Sequence, residues 1–321
     1  MARLALEDHL MPTPESAFDE WRSWSLERLE TEYSPSSRVR DFPALIRSYG
    51  VRSRRVVRCA TKGTGQSLVP VGRTLGWGDG PNEVFEYFAS GTRNSPLLVF
   101  IHGGYWQEGS RADSLFAAPR ALAAGISYAA IEYDLAPSAS LEKIVDQCRR
   151  ALRWLLDHAS ALGFDRDRVH VAGSSAGAHL TAMLLLRDYA GGGAPDSPPP
   201  LAGAVLLSGV YDLRPLVPTY INRALGLSDD TAAALSPLLR LHGGPVPIIV
   251  AWGEAETAES QRQSRAYAAV LRKAGFPTQD FEVPRVNHFD IVFKLADPRS
   301  SLGQAVLTQI RGGPALAGAA S

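Results

Sequence analysis

The chain is poor in cysteine. Two thiols, Cys59 and Cys148, in 321 residues exclude a disulfide framework and any metal site built on cysteine. A charge imbalance is missing too: lysine plus arginine number 33 and aspartate plus glutamate 33, so no global field draws in nucleic acid or an anionic membrane. No apolar run approaches the ~20 residues of a membrane span. The opening MARLALEDHL turns to charge too soon for a signal-peptide core. These absences lead us to expect a cytoplasmic protein with neither nucleic acid nor membrane as partner.

What is present is a globular composition, 45% hydrophobic and 21% charged. Residues 1–50 read as an arm, polar but carrying Trp21, Trp24 and Leu29; exposed tryptophans are costly, so short helices docking on the main body are expected. The Gly-rich stretch 61–81 reads as loop between early strands. Apolar runs then recur at 97–101, 128–133, 169–172, 204–207 and 248–251, with helix-period stretches such as 141–158 and 260–274 between them, the latter ended by Gly275. Continuous apolar strands alternating with helices predict an α/β fold with a mostly parallel sheet covered on both faces. One domain over 51–312 follows, with a loop at 190–200 and a disordered tail at 313–321. Cys148 falls on the apolar stripe of 141–158, a small buried hydrophobe.

The stretch Gly173-Ser174-Ser175-Ala176-Gly177 fits G-x-S-x-G between an apolar run and an Ala-rich one. Such a turn lifts its central serine off the end of a sheet; the bland alternative is a helix N-cap in a small-residue turn. A serine hydroxyl needs a base, and the base an orienting partner. His179, His242 and His288 follow Ser175. His179 lies down the helix that the turn begins, and His242 sits at the wrong end of the run at 248–251. His288 follows an extended segment, at the carboxyl end where ligands bind, and is the expected base. For the acid, Gly253-Glu254-Ala255-Glu256 follows a strand. Glu256 is preferred, with Asp212 as rival, Glu254 closer to the strand, and Glu259 a first-turn helix residue.

His102-Gly103-Gly104-Tyr105-Trp106 follows another strand. Glycines there let backbone N–H groups approach a substrate oxygen, so Gly103, Gly104 and Ala176 are the expected oxyanion donors. Tyr105 and Trp106 offer flat neighbours to a substrate, core packing being the alternative.

These stretches resemble the α/β-hydrolase superfamily, its HGG-bearing hormone-sensitive-lipase-type esterases, and more closely the kynurenine formamidase (arylformamidase) group. The resemblance rests on Tyr33-Ser34-Pro35-Ser36-Ser37, HGGYW at 102–106, GSSAG at 173–177, SGVYDL at 208–213, RQS at 262–264 and NHFDI at 287–291. It implies Ser175 as nucleophile, His288 as base and Glu256 as acid, although the group more often has Asp there. It further implies hydrolysis of an aryl formamide to amine and formate with no metal or organic cofactor. A carboxylesterase or acyl-transferring hydrolase, and a non-catalytic ligand-binding protein on the same fold, are the competing expectations. The partner is a small molecule, and a homodimer is compatible with the sequence.

Overall fold

The computed structural model describes residues 19–61, 72–186, 201–240 and 246–312. His242, the stretch 190–200 and the tail 313–321 lie outside them. Among the described residues, eight strands form one sheet in the order β1-β2-β4-β3-β5-β6-β7-β8. They are β1 (Arg73–Gly76), β2 (Val84–Phe88), β3 (Ser95–Ile101), β4 (Ser127–Ile131), β5 (Phe164–Ser174), β6 (Gly203–Leu207), β7 (Ile248–Gly253) and β8 (Thr278–Val283). β1 pairs antiparallel with β2, and β2 with β4; every other pairing is parallel.

The inner strands β3 to β7 coincide with the apolar runs because those stretches are buried on both faces, whereas the parallel edge strand β8, TQDFEV, is mostly half-buried. Leu97, Val99 and Ile101 of β3 pack on one side, with Ile144, Cys148 and Leu152 of the helix Leu141–Asp157. Leu98 and Phe100 pack on the other, with Leu302 and Val306 of the helix Ser301–Ile310. Cys148 is fully buried, and burial pushes its thiol up. No helix among the described residues is long and apolar enough to cross a membrane.

Two early elements departed from the sequence reading. β1 lies inside the stretch read as loop; it is a short edge strand of RTLG, mostly exposed, with no apolar alternation to mark it. The helix Phe42–Thr61 runs unbroken across residue 50, where the arm was expected to end. Before it, Trp21, Leu29 and Tyr33 are buried in the main core, and Trp24 is partly buried against it.

The sharpest turn joins β5 to the helix Ala176–Leu184. Ser175 stands there at φ 56° and ψ −119°, outside the regions that L-residues favour, tied to β6 by its N–H donating to the Leu207 carbonyl at 2.8 Å. The helix can leave so steeply because Gly177 lies directly against the Ile101 carbonyl of β3, where a Cβ would collide with backbone. Gly177→Ala is therefore expected to cost about 2–3 kcal/mol of stability, read from urea unfolding. A loss below about 0.5 kcal/mol, the range of an indifferent surface change, would contradict this packing.

Candidate active site

Glu256 lies past the end of β7, in a loop stitched to the neighbouring one. The Glu254 N–H donates to the Val283 carbonyl and the Ala255 N–H to the Val286 carbonyl, both at 3.0 Å. This brings the β7 and β8 loops together and sets Glu256 beside His288. The carboxylate is buried and fully engaged. Ser208 Oγ (2.6 Å) and the Gly253 N–H donate to Oε1; Ser260 Oγ and His288 Nδ1 (3.0 Å) donate to Oε2. Burial alone would raise its pKa. The charge of His288 and the hydrogen bonds from His288, Ser208 and Ser260 outweigh that and hold the carboxyl below its usual range.

His288 is fixed from below by its own loop. Asn287 Oδ1 accepts from the Phe289 N–H (2.9 Å) and the Asp290 N–H (3.1 Å), and Asp290 Oδ1 accepts from the Asn287 N–H (2.7 Å). With Nδ1–H committed to Glu256, the imidazole keeps Nε2 as its lone-pair nitrogen. His288 and Ser175 line the same cavity, about 310 Å³ in volume. Among the described residues Ser175 Oγ takes no hydrogen-bond partner; contacts of this kind tighten when substrate closes the site.

Gly103 and Gly104 line the cavity opposite the serine. A Cβ on Gly103 would meet the Ser174 carbonyl at 2.7 Å and the Ser175 Cβ at 3.1 Å, so only glycine brings this backbone so near the hydroxyl. The N–H groups of Gly103, Gly104 and Ala176 make no hydrogen bond to the described chain. Behind them His102 stacks on Tyr133 with ring centroids 4.1 Å apart. Tyr133 OH donates to the His102 carbonyl at 2.8 Å, and His102 Nε2 lies 3.2 Å from Glu132, itself paired with Arg111.

The other sequence candidates fall elsewhere. Asp212 is fully buried but grips Arg214 through both oxygens at 2.9 Å, which occupies it. Glu254 accepts from the Arg285 N–H at 2.7 Å at an exposed position. Glu259 is in the first turn of the helix Ala258–Lys273, buried and paired with Arg262. His179 is buried behind the elbow, bonded to the Leu235 carbonyl at 2.8 Å. Tyr105 lines the cavity. Trp106 does not, contrary to the expected substrate contact. It is fully buried, edge-on to His179 at 5.0 Å, as core packing requires.

Comparison with known proteins fits this geometry. The family model BD-FAE matches residues 87–190. Kynurenine formamidase of Danio rerio is 30% identical over 300 residues, 91% of this chain and 98% of that protein. The chain belongs to the kynurenine formamidase family. The Drosophila melanogaster member is 32% identical over 231 residues, 69% of this chain and 76% of that one. The fold is that of α/β-hydrolases. A solved Silicibacter structure described as a candidate thioesterase superposes with a TM-score of 0.74, at 24% identity over 87% of this chain and 98% of its own. This formamidase-family chain is thus an α/β-hydrolase enzyme.

Several residues of this family member's site went unread in its sequence. Ser208 and Ser260 hold Glu256. Ser208 opens the SGVYDL stretch, and Ser260 stands four residues beyond Glu256; either placement was a usable signal. The Glu132–Arg111 pair behind His102 carried none.

Two buried histidines, His179 behind the Ser175 turn and His170 within β5, give the fold a pH signature. Burial pushes His179 down to about 4; burial, then the Arg168 charge, does the same to His170. The unfolded chain thus binds more protons than the folded one between about pH 6.5 and 4. Stability is expected to fall as pH drops through that window. Glu256, with its lowered pKa, adds loss in the same direction as the carboxylate protonates. Urea midpoints at pH 7, 5.5 and 4.5 should descend, and His170→Gln should flatten the descent; a flat wild-type profile would contradict it.

Proposed function

We propose that this family member is a serine hydrolase that cleaves a small aryl formamide, of the N-formyl-kynurenine kind, to the arylamine and formate. The observation that carries the mechanism is the His288–Glu256 pair at 3.0 Å opening onto the same cavity as the strained Ser175. The substrate class is supported by likeness to a curated relative named kynurenine formamidase over 91% of the chain. On this reading the enzyme serves tryptophan catabolism.

Ser175 Oγ attacks the formyl carbon as His288 Nε2 takes its proton, and Glu256 stabilises the imidazolium that results. The carbonyl oxygen becomes an oxyanion facing the N–H groups of Gly103, Gly104 and Ala176. As the tetrahedral species collapses, the C–N bond breaks and His288 returns the proton to the leaving arylamine. Water, deprotonated by the same imidazole, then attacks the formyl-serine, and formate leaves as Ser175 regains its proton. A formyl group needs almost no acyl pocket, and the cavity is lined by Phe42, Tyr49, Phe100, Tyr105 and Phe289, apolar walls that suit an aromatic leaving group.

A second reading, a carboxylesterase acting on a neutral ester, is favoured by the charge of the same cavity. Glu108 and Asp113 are acidic, and none of the described lining residues is a lysine or arginine, so a substrate carboxylate meets no cation there.

A panel of N-formyl-kynurenine, formanilide and p-nitrophenyl acetate separates the two, with formate release measured for the first two. The formamidase reading expects kcat/KM for a formamide at least about tenfold above the ester, 1.4 kcal/mol in transition-state binding. Ester cleavage alone would transfer the assignment. Ser175→Ala and His288→Ala are each expected to lower kcat by about 10⁵–10⁶, and Glu256→Ala by about 10³–10⁴. Full activity in Glu256→Ala with a comparable loss in Asp212→Asn would move the acid.

A further inference from the structure

Three of the stretches that carry the family resemblance supply no reacting group to the chemistry above: Tyr33 to Ser37, SGVYDL and RQS. They are distant in sequence and meet at the side chain of Gln263, the middle residue of RQS. Tyr33 is buried, 3% exposed, and its hydroxyl donates to Glu259 Oε1 at 2.7 Å while accepting from Gln263 Nε2 at 2.7 Å. Gln263 Oε1 in turn accepts from the N–H groups of Tyr211 (2.6 Å) and Asp212 (2.9 Å), in the loop leaving β6. The backbone of the same tyrosine faces the other way. Its carbonyl accepts from Tyr105 OH at 2.5 Å, next to the glycines opposite Ser175.

The neighbour Glu32 closes the remaining link. Its carbonyl accepts from Thr257 Oγ1 at 2.7 Å, and its carboxylate accepts from the Glu259 N–H at 2.9 Å. The contacts fall on the N-cap and first turn of the helix Ala258–Lys273, whose next residue, Ser260, donates to Glu256. Acidic Glu32 at that helix start is favourable in itself. One short segment of the arm thus touches the glycine loop on one side and the seat of the carboxylate on the other.

We propose that Tyr33 is a positioning residue. It is a strut that sets the spacing between the HGG loop and the helix that seats Glu256, so the catalytic geometry depends on the arm. The claim rests on the serine-hydrolase reading above, but not on which acyl group is cleaved. The physical reason is tolerance: a misplacement of about 1 Å at a reacting centre costs on the order of a hundredfold. Neither a glycine loop nor a helix end holds such a tolerance unaided. Burial makes the strut stiff, since Tyr33 OH has both hydrogen-bond roles filled within the protein.

The test uses Tyr33→Phe and Tyr105→Phe, which cut the strut at opposite ends and keep both rings. Each is expected to lower kcat about 5- to 20-fold with KM changed less than about twofold. The loss should be the same on formanilide and p-nitrophenyl acetate, because the geometry of the site and not the substrate is disturbed. The double variant should lose less than the product of the two single losses, since both break one connection. Circular dichroism and urea midpoints verify that the variants remain folded. Unchanged kcat in Tyr33→Phe on both substrates would overturn the proposal. So would a loss carried by KM alone, or one confined to formanilide, which would make Tyr33 a substrate contact instead.

Discussion

Everything at the reactive rim depends on holding one non-glycine residue where residues of its kind rarely go. At φ 56° and ψ −119°, Ser175 carries strain on the order of 1–3 kcal/mol, and the surrounding structure must over-determine it. The bond to the Leu207 carbonyl does so from β6, and the contact of Gly177 with the Ile101 carbonyl does so from β3. The strain is not isolated. Among the described residues Tyr105, Trp106, Ser208 and Arg285 also have positive φ, and all lie in loops leaving the carboxyl ends of strands. The remaining non-glycine example, Asn94, is of a type that visits this region readily. The parallel core is regular, and the departures gather where the chemistry is proposed.

Electrostatics at the rim follow from the same geometry. A carboxylate as buried as Glu256 would ordinarily be neutral, and a neutral partner could not steady an imidazolium. Four donors surround it, two on each oxygen. They come from the ends of β6 and β7, the following helix and the β8 loop, so the charge is stable only when those elements are assembled. The arm joins this arrangement by bracing the same helix, and the helix Phe42–Thr61 reaches the histidine loop as well. Tyr49 OH donates to the Phe289 carbonyl, and Phe42 packs on Phe289 with centroids 4.8 Å apart. Arm and hydrolase core therefore share one hydrophobic and polar interior.

Much of this was legible in the sequence, for definite reasons. The inner parallel strands were readable because burial on both faces writes them as unbroken apolar runs. That the loops bearing Ser175, Glu256 and His288 lie together was readable because the carboxyl ends of parallel strands fall on one side of the sheet. Edge strands such as β1 were not, since exposure leaves no pattern on RTLG. For Trp106 the alternative of core packing is the one found, since which of two adjacent aromatic rings faces the core depends on tertiary packing that composition does not encode. The role of Tyr33 was hidden in a different way. It is one half of a long-range hydrogen bond, and a single polar residue gives no hint of a partner as far off as 226 positions, the separation of Tyr33 from Glu259.

The account's central claim is that the elbow serine is an activated nucleophile and not a structural cap. The direct measurement is labelling with an alkyl fluorophosphonate, followed by peptide mass spectrometry to locate the adduct. The account predicts one adduct per chain, on Ser175, formed rapidly by the native enzyme and suppressed in His288→Ala. A native enzyme that stays unlabelled, or that carries the adduct on another serine, would contradict it.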